Sequence, residues 1–63
     1  MSKKDAVDKT MKDHDLQNPG LAQSLADRLE DPGYLRNLWP NLARDYPGLK
    51  LGFVSDLLRR VES

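Results

Sequence analysis

The chain has 63 residues, no cysteine and one histidine, and its 10 basic side chains balance its 10 acidic ones. This length allows one domain at most, and without cysteine the sequence can form neither a disulfide nor a thiolate metal site. Zero net charge disfavours nucleic acid as a partner, because neutralisation of phosphates by basic residues supplies most non-specific affinity.

The small size favours association with another chain, since a core of this length supplies only about 3–5 kcal/mol of stability. The sequence has no apolar run near the roughly 18 residues that span a bilayer, and its N-terminus lacks the apolar stretch of a signal peptide. We therefore expect a soluble cytoplasmic protein with no membrane partner.

Residues 1–15 form the first predicted element, with four lysines, four aspartates and few large apolar groups. Val7 and Met11 are four residues apart, so a helix places both on one face. Several Lys and Asp residues share this spacing and support a helix weakly. The pattern predicts a charged arm, helical or frayed, that precedes a compact helical domain of residues 16–63.

The second element is a predicted amphipathic helix over residues 19–30. Asn18 is a strong N-cap, and Pro19 suits the first helical position, where its missing N–H has no partner. Leucines recur every four residues from Leu21 and share a face with two alanines, while polar side chains cover the other face.

The third element is a predicted helix over residues 32–46, capped by Asp31. Pro40 falls inside it and removes one helical hydrogen bond. If the helix continues, Pro40 lies on its polar side and produces a kink around the core. The alternative is two short helices, with Trp39 extended before Pro40. We favour the kink.

The last predicted helix covers residues 49–62. Tyr46 is a poor N-cap, so Pro47 and Gly48 indicate either the start of this helix or a turn that delays it to about residue 52. Its apolar residues span an arc of about 200°, which is more than a surface helix needs. Part of this face is therefore expected to be left over for a partner.

Together these elements predict an all-α fold, a small three-helix bundle with a charged N-terminal arm. The predicted core contains ten residues: Leu21, Leu25, Leu29, Leu35, Leu38, Trp39, Leu42, Phe53, Leu57 and Val61.

The sequence contains no pattern that indicates catalysis or a cofactor. Asp13, His14 and Asp15 are the densest group of potential metal ligands, but adjacent helical residues point in different directions, so a solvated turn is expected. Glycine occurs only in Pro-Gly pairs and at Gly52, which excludes a glycine-rich phosphate loop. We expect a protein that is not an enzyme and holds neither cofactor nor metal.

The leading functional interpretation is a small non-enzymatic regulator or inhibitor that binds another protein, or a second copy of itself, through an apolar helix face. Aromatic residues and arginine dominate interface hot spots. The predicted partner-binding residues are Tyr34, Arg36, Trp39, Leu51, Val54, Leu58 and Arg59. Trp39 is in both predicted sets, because either a core or an interface can bury an indole.

Two alternatives stay open. One is a dimeric helix-turn-helix transcription regulator, with residues 51–61 as a recognition-like helix and Arg59 and Arg60 contacting phosphates. Acidic Asp56 and Glu62 dilute that basic surface. The other is a structural subunit of a larger assembly.

Overall fold

The structure, a computed structural model, describes residues 2–62. Within this range the chain forms helices α1 (Lys3–Asp13), α2 (Pro19–Leu29), α3 (Pro32–Arg36), α4 (Leu38–Asp45) and α5 (Leu51–Glu62). No strand occurs among residues 2–62, so the all-α prediction is confirmed. The predicted three-helix bundle is not, because the described chain contains five helices.

Helix α1 is a core element. Ser2 caps it by accepting a hydrogen bond from the Asp5 N–H at 3.1 Å. Val7 and Thr10 are fully buried, and Thr10 donates its hydroxyl proton to the Ala6 carbonyl at 2.7 Å. Helix α1 packs against both α2 and α5. The division into an arm of residues 1–15 and a compact helical domain of residues 16–63 stays a prediction.

A left-handed residue turns the chain between α1 and α2. Asp15 has φ 55°, a conformation that Asp adopts more readily than most residues. The Leu16 N–H donates to the Met11 carbonyl at 2.8 Å and the Asp15 N–H to that of Lys12 at 3.1 Å. These bonds form a Schellman motif, which satisfies carbonyls at the end of α1.

The break in the third segment lies at Asn37, before Pro40. Asn37 has φ −126° and ψ 52°, outside the helical region. Pro40 is the third residue of α4, where its missing N–H has no partner within the helix. Asn41 donates its side-chain amide to the Tyr34 carbonyl at 3.0 Å across the break. The prediction of a kink is wrong. Two short helices do form, but with Trp39 inside α4 rather than extended before it.

The third Pro-Gly pair forms a turn. The Leu49 N–H donates to the Tyr46 carbonyl at 3.1 Å, with Pro47 and Gly48 between them. Helix α5 then begins at Leu51, two residues later than the predicted bound of 49. The predicted bound of 49 is therefore wrong, and of the two alternatives for Pro47 and Gly48 the structure shows the turn that delays the helix.

One core is formed by residues from all five helices, with Tyr34 as the buried contribution of α3. Of the ten predicted core residues, six are buried and Leu21, Leu35 and Val61 are half-buried against it. The tenth, Trp39, is 45% exposed, so its placement in the core is wrong. No helix within residues 2–62 is both long and apolar enough to cross a membrane. The buried hydrophobic residues that sequence reasoning did not place in the core are Ala6, Val7, Met11, Ala22, Ala26, Tyr34 and Val54.

Candidate protein-binding surface

Trp39 is exposed because α4 is a separate helix. Leu38 and Leu42 lie one turn apart on the side of α4 that packs into the core. Trp39 follows Leu38 directly, so its side chain is rotated by about 100° away from that side. The prediction that Trp39 lies in the core assumed one continuous helix over residues 32–46, and the break at Asn37 removes that continuity.

The outer side of α5 carries another exposed apolar side chain. Leu51 is 67% exposed, while Leu58, two turns further on, is half-buried and packs partly against the core. Trp39 lies beside them, and together they border a shallow groove of about 550 Å³. We call this surface the Trp39 groove, and its lining residues are Trp39, Leu51, Ser55, Leu58, Arg59 and Glu62.

The structure brings together four of the seven predicted partner-binding residues, namely Trp39, Leu51, Leu58 and Arg59. Tyr34 and Val54 are only 7% and 8% exposed, so the prediction of an exposed surface role is wrong for both. Arg36 is exposed on α3 and does not line the groove. Sequence reasoning missed Ser55 and Glu62 as lining residues, although their spacing from Leu51 and Leu58 places all four on one side of a helix.

The inner side of α5 is linked to α1 by polar contacts that we call the α1–α5 seam. His14 Nε2 lies 2.7 Å from Asp56 Oδ2. Arg60 donates to Thr10 Oγ1 at 3.0 Å and also to the Asp13 carboxylate. The seam therefore consists of Thr10, Asp13, His14, Asp56 and Arg60.

The seam also sets the charge state of Asp56. Its hydrogen bond with His14, followed by the nearby Arg59 charge, lowers the pKa of Asp56 below its ordinary value and outweighs the opposing effect of partial burial. The His14 ring packs edge-on against Phe53, with ring centroids 5.5 Å apart. Asp56 is thus held in its charged form between α1 and the C-terminal half of α5.

Several residues that the sequence analysis considered for binding a metal ion or nucleic acid take part in these contacts. Asp13 and His14 bind α5 residues, and no group of three or more potential metal ligands forms within residues 2–62. Arg59 Nη2 lies 2.6 Å from Asp56 Oδ1. Because both Arg59 and Arg60 contact carboxylates of their own chain, the basic surface expected for phosphate contact is partly neutralised.

Tyr34 is part of a polar cluster that joins α3 to α4. Its hydroxyl donates to Asp45 Oδ2 at 3.0 Å, and Arg44 Nε donates to Asp45 Oδ1 at 2.9 Å. The Arg28 guanidinium lies over the Tyr34 ring, 5.6 Å from its centroid. Burial, reinforced by the bond to Asp45, raises the pKa of Tyr34 to about 12, and the Arg44 bond lowers that of Asp45. This cluster stabilises the fold.

A second cleft, of about 440 Å³, lies between the end of α1, the start of α2 and the connection before α5. Its polar side chains include His14 and Tyr46, which already bind Asp56 and Ser24. The Tyr46 and Ser24 hydroxyl oxygens are 2.5 Å apart. One exposed large apolar side chain, Leu16, lines this cleft, whereas two, Trp39 and Leu51, line the Trp39 groove.

No protein-family model matches this chain, and neither the curated proteins nor the solved structures contain a match to it.

Proposed function

We propose that this protein is a small non-enzymatic regulator or inhibitor that binds a protein partner through the Trp39 groove. The observation that carries the proposal is the pairing of Trp39 with Leu51. Three large hydrophobic side chains are exposed within residues 2–62, and two of them border this one groove. A single exposed apolar side chain is common on protein surfaces, but two that border the same groove form a patch of the kind that marks an interaction site.

The groove also has the composition of an interface. Tryptophan and arginine are the residue types enriched at hot spots, and apolar interface centres are commonly surrounded by a polar rim. Trp39, Leu51 and Leu58 supply the apolar part, and Arg59 and Glu62 the charged part. Arg59 contacts Asp56 of its own helix, and its side chain is 77% exposed and therefore accessible to a partner.

Helix-turn-helix binding to DNA has weaker support. Arg60 lies against Thr10 and Asp13, and the whole chain has no net positive charge to attract a phosphate backbone. A structural subunit of a larger assembly would also bind protein through this groove, and it differs from a regulator only in how long the complex lasts.

Site-specific photocrosslinking in extracts of the producing cells tests the proposal. A photoreactive amino acid replaces Ser55, which is exposed inside the groove, and in a matched variant it replaces Lys9, which is exposed on α1. We expect discrete protein adducts from position 55 and none of the same mass from position 9. The proposal is contradicted if position 55 gives no adduct, or if both positions give the same set.

A further inference from the structure

We infer that the partner seated on the Trp39 groove is a second copy of this chain, with the two α5 helices packed antiparallel about a two-fold axis. The inference rests on the proposed function, because it identifies the occupant of the same surface. It follows from the spacing, shape and charge of the outer side of α5.

The spacing of the exposed stripe is that of a helix–helix seam. Leu51, Ser55, Leu58 and Glu62 follow one another at intervals of four, three and four residues. This alternation keeps side chains along one line of contact when two helices pack at about 20°. Helix α5 has 12 residues, so the line is about 18 Å long. It is available because α5 uses its other side to pack on α1 and the core.

The shape of the stripe complements itself in the antiparallel direction. Ser55 is small and lies between the larger Leu51 and Leu58. With the two-fold axis midway between positions 55 and 58, Leu58 of each copy packs over Ser55 of the other. Leu51 then packs against the aliphatic part of the other copy's Glu62. Such reciprocal contacts define an isologous dimer.

The charges near the two ends of α5 also favour antiparallel packing. Lys50 immediately precedes α5 and Glu62 is its last residue; both are exposed, and neither forms a salt bridge within residues 2–62. Antiparallel packing brings Lys50 of one copy near Glu62 of the other at both ends of the interface, whereas parallel packing places the two Glu62 carboxylates together. Zero net charge also means that two copies approach without long-range repulsion.

Sedimentation equilibrium of the purified chain from micromolar to millimolar concentration tests the dimer. We expect the mass to rise from 7.2 kDa towards twice that value. Leu51→Gln removes apolar contact area and should raise the dimer dissociation constant at least about tenfold. Leu16→Gln is the matched control, since Leu16 is 39% exposed and lies outside the groove. A constant mass of 7.2 kDa, or an equal effect of both substitutions, overturns the inference.

Disulfide cross-linking tests the direction, and the chain has no cysteine of its own to interfere. Positions 51 and 62 are about 16 Å apart along α5, and a disulfide requires Cα atoms within about 7 Å. Mixing Leu51→Cys with Glu62→Cys should therefore give a cross-linked heterodimer, while Leu51→Cys alone should give none. A cross-link from Leu51→Cys alone, or none from the mixture, overturns the antiparallel arrangement.

The photocrosslinking and sedimentation results separate this inference from the proposed function. An adduct at position 55 that contains a second copy supports both. If the purified chain stays monomeric and position 55 captures only a different protein, the inference fails and the proposed function stands. If position 55 gives no adduct and the mass is constant, both fail.

Discussion

The two sides of α5 differ in whether their side chains have partners. On the inner side, Arg60 and Asp56 bind α1 residues, and Leu57 is fully buried. On the outer side, Leu51 is 67% exposed and lies beside the indole of Trp39, which is 45% exposed. One short helix thus has a side that the fold requires and a side that the fold leaves available, and substitutions on the two should have separable effects.

The largest expected difference comes from the same substitution on the two sides. Leu57→Ala removes fully buried methyl groups and should cost about 3 kcal/mol of unfolding free energy, most of the roughly 3–5 kcal/mol expected for a domain of this size. Leu51→Ala should change it by less than about 0.5 kcal/mol. Urea denaturation at micromolar concentration, where association contributes little, measures both. Equal losses would show that Leu51 also belongs to the core.

Two neighbouring arginines give the next largest contrast. Arg60→Ala breaks hydrogen bonds with Thr10 and Asp13 across the seam and should cost about 1–2 kcal/mol. Arg59→Ala breaks a pair with Asp56 on one helix, where the Arg59 side chain is 77% exposed, and should cost less than about 0.5 kcal/mol. Chemical denaturation of the two variants compares them. A greater loss for Arg59→Ala would contradict the division between the two sides.

An alkaline titration tests whether the Tyr34 hydroxyl is buried in the folded chain. Burial raises the pKa of Tyr34 from its ordinary value of 10.0 to about 12, because the folded state favours the neutral hydroxyl. The stability this provides is complete below pH 10 and is lost as the pH rises through 12. Absorbance of tyrosinate should show a late ionisation that Tyr34→Phe removes. Its absence from the wild-type protein would contradict the burial of Tyr34.

The smallest expected effect is the pH-dependent loss of the stability that Asp56 provides. The pKa of Asp56 is lower in the folded chain than its ordinary value of 3.8, so its contribution to stability is present above pH 3.8 and disappears as the pH falls through the folded pKa. Asp56→Asn should therefore be less stable than the wild type at neutral pH and equally stable in strong acid. A difference that is independent of pH would show that the charge of Asp56 is not involved.

Local signals in the sequence predicted much of this fold. Asn18 and Asp31 are N-caps in the structure, accepting hydrogen bonds from the N–H groups of Leu21 and Gly33. The poor capping residue Tyr46 correctly indicated a turn before α5. These features depend on neighbouring residues alone, which is why sequence reasoning could reach them.

Features that depend on tertiary contacts were harder to predict. Val7 and Met11 indicated only half of the buried face of α1, because Ala6 is small and Thr10 is polar. The burial of Thr10 depends on hydrogen bonds of its hydroxyl group with the Ala6 carbonyl in α1 and with Arg60 of α5. Sequence reasoning favoured a kink at Pro40, but Pro40 lies in the first turn of α4, where proline is compatible with a helix.

The same error affected the candidate site. Without a break at Asn37, Trp39 was placed with the core, although the sequence also included it among the interface residues. The wide apolar face of α5 was correctly expected to exceed what the core covers, but only the structure shows that Leu51 and Leu58 border a groove with Trp39 while Val54 is buried.

Acrylamide quenching of tryptophan fluorescence, measured as protein concentration rises, tests the central claim most directly, since Trp39 is the chain's single tryptophan. We predict strong quenching at micromolar concentration and protection at millimolar concentration, with the protection of Leu51→Gln shifted to concentrations at least about tenfold higher. An indole that is already protected in the dilute monomer, or one equally quenched at every concentration, would contradict the account.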